Sequence, residues 1–220
     1  MALDHRADTV RRIEECGVVA VIRLQDGSRL RAVVDALAEG GITALEVTMT
    51  VPRAIELIGE IAPALPEGFL VGAGTVVDPD TARAAVQAGA RFIVGPIFRP
   101  LVIEASHAAG AAAMPGCFSP TEILSAWDAG ADVVKVFPAT ALGPGYFKDL
   151  RGPLPHVKLM PTGGVSLENA VDWIRAGAVA IGVGGALVDP RLVVAGDYNA
   201  ITERAKRFIE RVRNARETPA

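Results

Sequence analysis

A short pattern recurs along the chain: apolar residues at helical spacing, then glycine, then a short run of β-branched or other apolar residues. It is seen in AEGGITALEV, QAGARFIVG, AAGAAAMPG, DAGADVVKV and RAGAVAIGV. Each glycine stands where a helix would end, a position that favours left-handed φ. Each following run is bounded by turn residues, as expected of a strand buried on both faces. Self-similarity at this spacing points to a repeated supersecondary unit. Eight strands are predicted: Val18–Arg23, Ala44–Met49, Leu70–Val76, Phe92–Pro96, Ala111–Pro115, Val133–Pro138, Lys158–Gly163 and Ala180–Gly184. Helical patterns such as SRLRAVVDALAEG, DTARAAVQAG, SPTEILSAWDAG and SLENAVDWIRAG lie between them, with Ser28, Ser119 and Ser166 as expected caps.

Strand–helix alternation with short connections implies parallel strands and right-handed crossovers. Eight such units predict an α/β chain folded as a closed (β/α)8 TIM barrel, with a doubly wound open sheet as the alternative. No linker or low-complexity stretch interrupts residues 1–220, so a single domain is expected, with an N-terminal helix over about 4–16 and a C-terminal helix over about 200–216. The latter, ITERAKRFIERVRNARE, is basic and amphipathic. An outer barrel helix is the reading favoured over a partner surface.

Composition narrows the chemistry. Of 220 residues, 50% are hydrophobic and 21% charged, which supports a sizeable core and argues against disorder. A net charge of −3 argues against nucleic acid or an anionic membrane as partner. No apolar run approaches the ~18 residues of a spanning helix, and MALDHRADTVRRIEECG lacks an apolar signal core. A cytoplasmic location is expected, in which Cys16 and Cys117 are free thiols. No histidine is placed to activate Cys117. Glu104 and His107 fall three residues apart on one helix without a third ligand, so no metal is expected. Asp78 and Asp80 read as a turn and helix start.

In a barrel, the reacting groups sit at the C-terminal ends of the strands. The polar residues there are Arg23, Glu46, Thr48, Thr75, Lys135 and Thr162. By strand alternation Lys135 shares a face with Val133 and Phe137, and Glu46 with Ala44 and Thr48. If both faces point inward, a lysine and a carboxylate share one small apolar space. They could form a structural ion pair. They could also be catalytic, because apolar surroundings favour a free amine over an ammonium, and a free amine attacks carbonyls to form a Schiff base. The iminium then accepts the electron pair of a breaking carbon–carbon bond, with Glu46 as proton carrier. Near the last two strands, Gly163, Gly164, Gly184 and Gly185 could present backbone amides and helix N-termini to a phosphate, or could merely permit tight turns.

The segments LEVTMT, VGAGTV, MPGCFSPTE, VVKVFPA and MPTGGV, collinear from about Val18 to Val188, resemble the 2-keto-3-deoxy-6-phosphogluconate and 4-hydroxy-2-oxoglutarate aldolases. The resemblance implies a metal-independent and cofactor-independent class I aldolase, a homotrimer of (β/α)8 barrels acting on a small 2-keto acid phosphate. It implies Lys135 as the Schiff-base residue and Glu46 as the proton-transfer residue. Thr75, Pro96, Phe137 and Thr162 would line the pyruvyl end, and Gly163, Gly164 and Gly184 the phosphate loop. Two positions depart from relatives. Thr50 stands where some have a carboxylate-gripping arginine, so Arg23 is the expected replacement. Gly185 stands where some have a serine, which removes one hydroxyl donor to phosphate. A galactonate-derived epimer or a non-phosphorylated acid is the alternative substrate. A barrel isomerase or decarboxylase without a covalent step, and a non-catalytic phosphometabolite-binding or assembly barrel, are the rival readings.

Overall fold

The computed structural model describes residues 5–217; Asp4, where the N-terminal helix was expected to begin, lies outside them. Helix α1 (His5–Cys16) is followed by β1 (Val18–Ile22), α2 (Leu30–Glu39), β2 (Ala44–Thr48), α3 (Ala54–Ile61), β3 (Leu70–Gly74) and α4 (Pro79–Gln87). Next come β4 (Phe92–Val94), α5 (Pro100–Ala108), β5 (Ala112–Met114), β6 (Gly116–Cys117), α6 (Pro120–Asp128) and β7 (Val134–Val136). The last are α7 (Gly143–Arg151), β8 (Leu159–Pro161), α8 (Ala170–Arg175), β9 (Ile181–Val183), α9 (Pro190–Ala195) and α10 (Tyr198–Glu217). The recurrent glycines act as the pattern predicts. Gly41, Gly89, Gly110, Gly130 and Gly177 have φ between 85° and 112°, which turns the chain from helix towards strand.

All strand pairs are parallel. One ladder runs β5-β4-β3-β2-β1-β9 and a second runs β6-β7-β8. The expected fifth strand, Ala111–Pro115, is shortened to β5, which pairs with β4, and a further strand, β6, follows Pro115 and pairs with β7. Pro115, between β5 and β6, has no N–H for a ladder, although its carbonyl accepts from the Lys135 amide at 3.0 Å. On the other flank the ladders meet through the isolated bridges Leu159↔Ala178 and Thr162↔Gly182. The result is a curled parallel sheet in two ladders, where one closed ring of eight strands was expected. Several strands are also shorter than expected. Arg23, Met49, Pro96, Pro138, Gly163 and Gly184 fall just past their ladders, in the connections.

Of the expected caps, Ser119 forms a reciprocal capping box with Glu122. Ser28 does not cap α2; it lies in a 3-10 turn capped by Asp26. Ser166 does not cap α8, whose flanking residue is Asn169. Asp78 starts α4 as expected, accepting from the Thr81 amide at 2.8 Å.

Alternation along the strands builds the interior. Val19, Ala44, Leu70, Phe92, Ala112, Val133 and Ala180 form one apolar cluster with Val10 and Ile13 of α1. Helix α1 thus covers the N-terminal ends of the strands. Helix α10 lies on the outside as the amphipathic pattern predicts, burying Ile201, Ala205, Phe208 and Val212. Its Thr202 donates to the Ala36 carbonyl of α2 at 3.0 Å. No helix among the described residues is long and apolar enough to cross a membrane.

Candidate active site

Two positions beyond Ala44 and Val133 on the same strand faces stand Glu46 and Lys135, one step above the apolar cluster. Their side chains are 1% and 4% exposed, and Lys135 Nζ lies 3.9 Å from Glu46 Oε1. The same Nζ is 5.2 Å from the centre of the Phe137 ring. At that separation lysine and glutamate attract as charges but do not hydrogen-bond. Among the described residues neither Glu46 oxygen has a hydrogen-bond partner, nor does the buried hydroxyl of Thr162. Buried polar atoms are nearly always paired, because leaving them unpaired costs stability. A purely structural ion pair would satisfy its carboxylate. This one leaves acceptor capacity beside an amine, the arrangement a proton-transferring group needs.

Thr162 is tied to the lysine strand through its amide on the Val136 carbonyl at 3.0 Å and its carbonyl on the Ala139 amide at 2.9 Å. Thr75 and Pro96 follow β3 and β4, which the Val76 amide joins through the Val94 carbonyl at 3.1 Å. Thr75 has φ 62°, a left-handed conformation rare for a β-branched residue and typical of functional sites. Gly116 packs on the backbone of Pro96.

The two expected glycine pairs behave differently. Gly163 and Gly164 have φ 91° and 73°, so the turn itself requires glycine there. The Gly164 carbonyl accepts from Asn169 Nδ2 at 2.8 Å, and Thr140 Oγ1 lies 2.8 Å from the place a Gly164 Cβ would occupy. Gly184 and Gly185 are not left-handed. The Gly184 carbonyl accepts the Leu187 and Val188 amides at 2.9 and 3.0 Å, closing a turn. A Cβ on Gly184 would lie 3.2 Å from Arg23 Nη1, whereas one on Gly185 would meet nothing within 4 Å. Asp189 caps α9 by accepting from the Arg191 amide, which places a carboxylate at that helix start. This weakens the expected attraction of the α9 terminus for an anion.

Arg23 opens onto a cleft of about 780 Å³, also lined by Thr50, Arg29 and Arg191. Thr48 donates to the Ile22 carbonyl at 2.9 Å, so the 2.6 Å contact between Thr48 and Thr50 takes its proton from Thr50. Cys117 is a poor nucleophile: burial, with Glu122 adding to it, pushes its thiol up to about 12. His107 pairs with Asp132 at 2.8 Å, away from Glu46 and Lys135. Among the described residues no three His, Cys, Asp or Glu side chains are placed to hold a metal. Thr140 beside Gly164, and Gly74, where a Cβ would meet the Glu46 carboxylate, are residues the sequence reading passed over, and FPATALG held a weak signal for the first, a hydroxyl two residues past Pro138.

Most of the chain has known relatives. A family model described as "Aldolase: KDPG and KHG aldolase" matches residues 10–204. The 2-dehydro-3-deoxy-phosphogluconate aldolase of Pseudomonas aeruginosa is 35% identical over 208 residues, covering 94% of this chain and 93% of that protein. A probable 2-dehydro-3-deoxy-6-phosphogalactonate aldolase of Rhizobium meliloti is 38% identical over 184 residues, covering 82% and 85%. A crystal structure of KDPG aldolase from Legionella pneumophila, with pyruvate captured as a covalent carbinolamine intermediate, superposes with a TM-score of 0.83. It is 29% identical, with 90% of this chain and 96% of that one covered.

Proposed function

The chain belongs to the KDPG and KHG aldolase family, and from that premise we propose that it cleaves 2-keto-3-deoxy-6-phosphogluconate to pyruvate and glyceraldehyde 3-phosphate through a Schiff base on Lys135. It is an aldolase, and so a lyase. The same chemistry would split 4-hydroxy-2-oxoglutarate into pyruvate and glyoxylate. The observation that carries the reading is the buried Lys135–Glu46 pair, 3.9 Å apart, whose carboxylate has no hydrogen-bond partner among the described residues.

Lys135 Nζ attacks the C2 carbonyl, and the carbinolamine loses water to give an iminium. Glu46 takes the proton of the C4 hydroxyl. The C3–C4 bond breaks, its electron pair entering the iminium to form an enamine while C4 leaves as an aldehyde. The enamine is protonated at C3, and water releases pyruvate and the free lysine. Phe137 covers the amine from one side, and its ring also favours the cationic form of the imine nitrogen. Borohydride reduction in the presence of pyruvate tests the covalent step, with the adduct mapped to Lys135. Turnover without trapping would indicate a non-covalent isomerase or decarboxylase, and neither would indicate a binding barrel.

Arg23 is our carboxylate anchor, because a guanidinium fork matches a carboxylate in two-point geometry. Gly163 and Gly164, with the Thr140 hydroxyl beside them, are our phosphate cradle. Thr140 supplies a hydroxyl in place of the one absent at Gly185. Kinetics on two substrates separate these roles. Arg23→Lys should raise KM for both 2-keto-3-deoxy-6-phosphogluconate and 4-hydroxy-2-oxoglutarate. Gly164→Val should raise it mainly for the phosphorylated one. Equal losses in Gly164→Val would leave Gly164 only a turn residue. Including the galactonate-derived epimer in the same panel settles the stereochemical preference, which the Rhizobium meliloti relative keeps in question.

The two ladders are our single (β/α)8 barrel. The division at Pro115 within one continuous stretch of chain, and the Thr162↔Gly182 bridge, support that reading. A homotrimer is the assembly we favour, supported by the apolar side chains of Ile97, Leu101 and Phe118, 52%, 62% and 43% exposed. Light scattering should report three chain masses, and a single chain mass would refute it.

A further inference from the structure

The inner faces of the strands hold glycines where large neighbours need room. Gly72 faces the Phe92 ring, Gly182 the Thr162 hydroxyl, and Gly74 the Glu46 carboxylate. Gly74 differs from the turn glycines. Its φ is not left-handed, so the backbone there would accept any residue. What a side chain there would meet first is Glu46. The three atoms nearest a Cβ built on Gly74 are Glu46 Oε1, Cδ and Cγ, all well inside van der Waals contact. Thr48 and Gly74 are register partners on β2 and β3, as are Glu46 and Gly72, so the carboxylate reaches one pleat along and lies over the β3 backbone.

We infer that Gly74 is a positioning residue: the space it leaves lets the Glu46 carboxylate lie over the neighbouring strand, within 3.9 Å of Lys135 Nζ. A methyl group at residue 74 would displace the carboxylate, because the flexible side chain yields before the two paired strands do. Glu46 is fully buried, so any displacement changes the distance to the amine. The inference rests on Glu46 as the proton carrier for its kinetic consequence, but its steric half stands without that reading.

Two measurements on the full chain test it. In the first, Gly74→Ala should keep borohydride trapping of pyruvate on Lys135 while exchange of the pyruvate methyl protons with deuterated solvent falls at least about 10²-fold, the lower range for losing a general base. Gly74→Ala combined with Glu46→Gln should lose no more exchange than either alone. Wild-type exchange in Gly74→Ala where Glu46→Gln loses it overturns the inference, as does equal loss of trapping and exchange in a folded variant. In the second, melting temperatures are compared across a double-mutant cycle of Gly74→Ala and Glu46→Ala. Gly74→Ala should lower the melting temperature when Glu46 is present and leave it nearly unchanged in the Glu46→Ala background. Equal destabilisation in both backgrounds, or failure of the double variant to fold, means that Gly74 serves the backbone and overturns the inference. If Glu46→Gln alone keeps wild-type exchange while the cycle still shows coupling, the proton-carrier reading fails and the steric one survives.

Discussion

Lys135→Ala is expected to abolish both turnover and reductive trapping of pyruvate. The amine is the only nucleophile in the proposed path, and no neighbouring group can form the imine in its place. Loss of a covalent nucleophile is on the scale of roughly 10⁵-fold or more in kcat. Lys148 and Lys158 are differently placed. Lys148 is exposed on α7, and Lys158 is ion-paired with Glu14 at 2.7 Å. An adduct mapped to either by mass spectrometry would sink the assignment of Lys135. The loss must be separated from unfolding. Lys135→Ala leaves the Glu46 carboxylate buried without its cation, and breaking a buried pair on one side typically costs about 3–5 kcal/mol. Adding Glu46→Gln removes the stranded charge. The double variant should therefore melt higher than Lys135→Ala while remaining equally inactive.

Glu46→Gln should lower kcat by roughly 10²–10⁴-fold, the range for general acid–base catalysis. The amide keeps the size of the acid but cannot accept a proton from the C4 hydroxyl or return one to the enamine. Exchange of pyruvate methyl protons with deuterated solvent should fall in parallel, since that reaction needs only the imine and the base. Trapping should persist, because Lys135 is untouched. Wild-type exchange in Glu46→Gln would make Glu46 a structural partner of the lysine and place the proton carrier elsewhere. The prediction draws its force from the two unpartnered oxygens of Glu46. A carboxylate held by backbone amides would have less capacity to take a proton.

Much of this architecture is written locally. The glycines of the repeated unit mark helix ends because only their left-handed φ turns a helix quickly into a strand, and Gly41, Gly89, Gly110, Gly130 and Gly177 all adopt it. The period-two alternation groups Lys135 with Val133 and Glu46 with Ala44 on one face each, since side-chain direction in a strand follows from position, and the folded sheet turns both faces inward. Candidate residues at the strand ends could be named for the same reason.

What the local pattern could not contain is which side chains meet. Glu46 and Lys135 belong to strands that are not neighbours in either ladder, and their 3.9 Å approach exists only because the sheet curls. The proline at the end of the expected fifth strand was visible, but its consequence, a division between two ladders, depends on where the neighbouring strands offer their hydrogen bonds. Gly74 carried no turn signature, because its backbone needs no glycine. Its need for glycine comes from the Glu46 side chain crossing from the next strand. Likewise the approach of the Arg23 guanidinium to Gly184, 3.2 Å from where a Cβ would stand, joins two strands and has no local signature. Periodicity and turn chemistry act over a few residues and can be read along the chain. Steric fit between strands acts across hydrogen-bond register, and only the folded sheet sets that register.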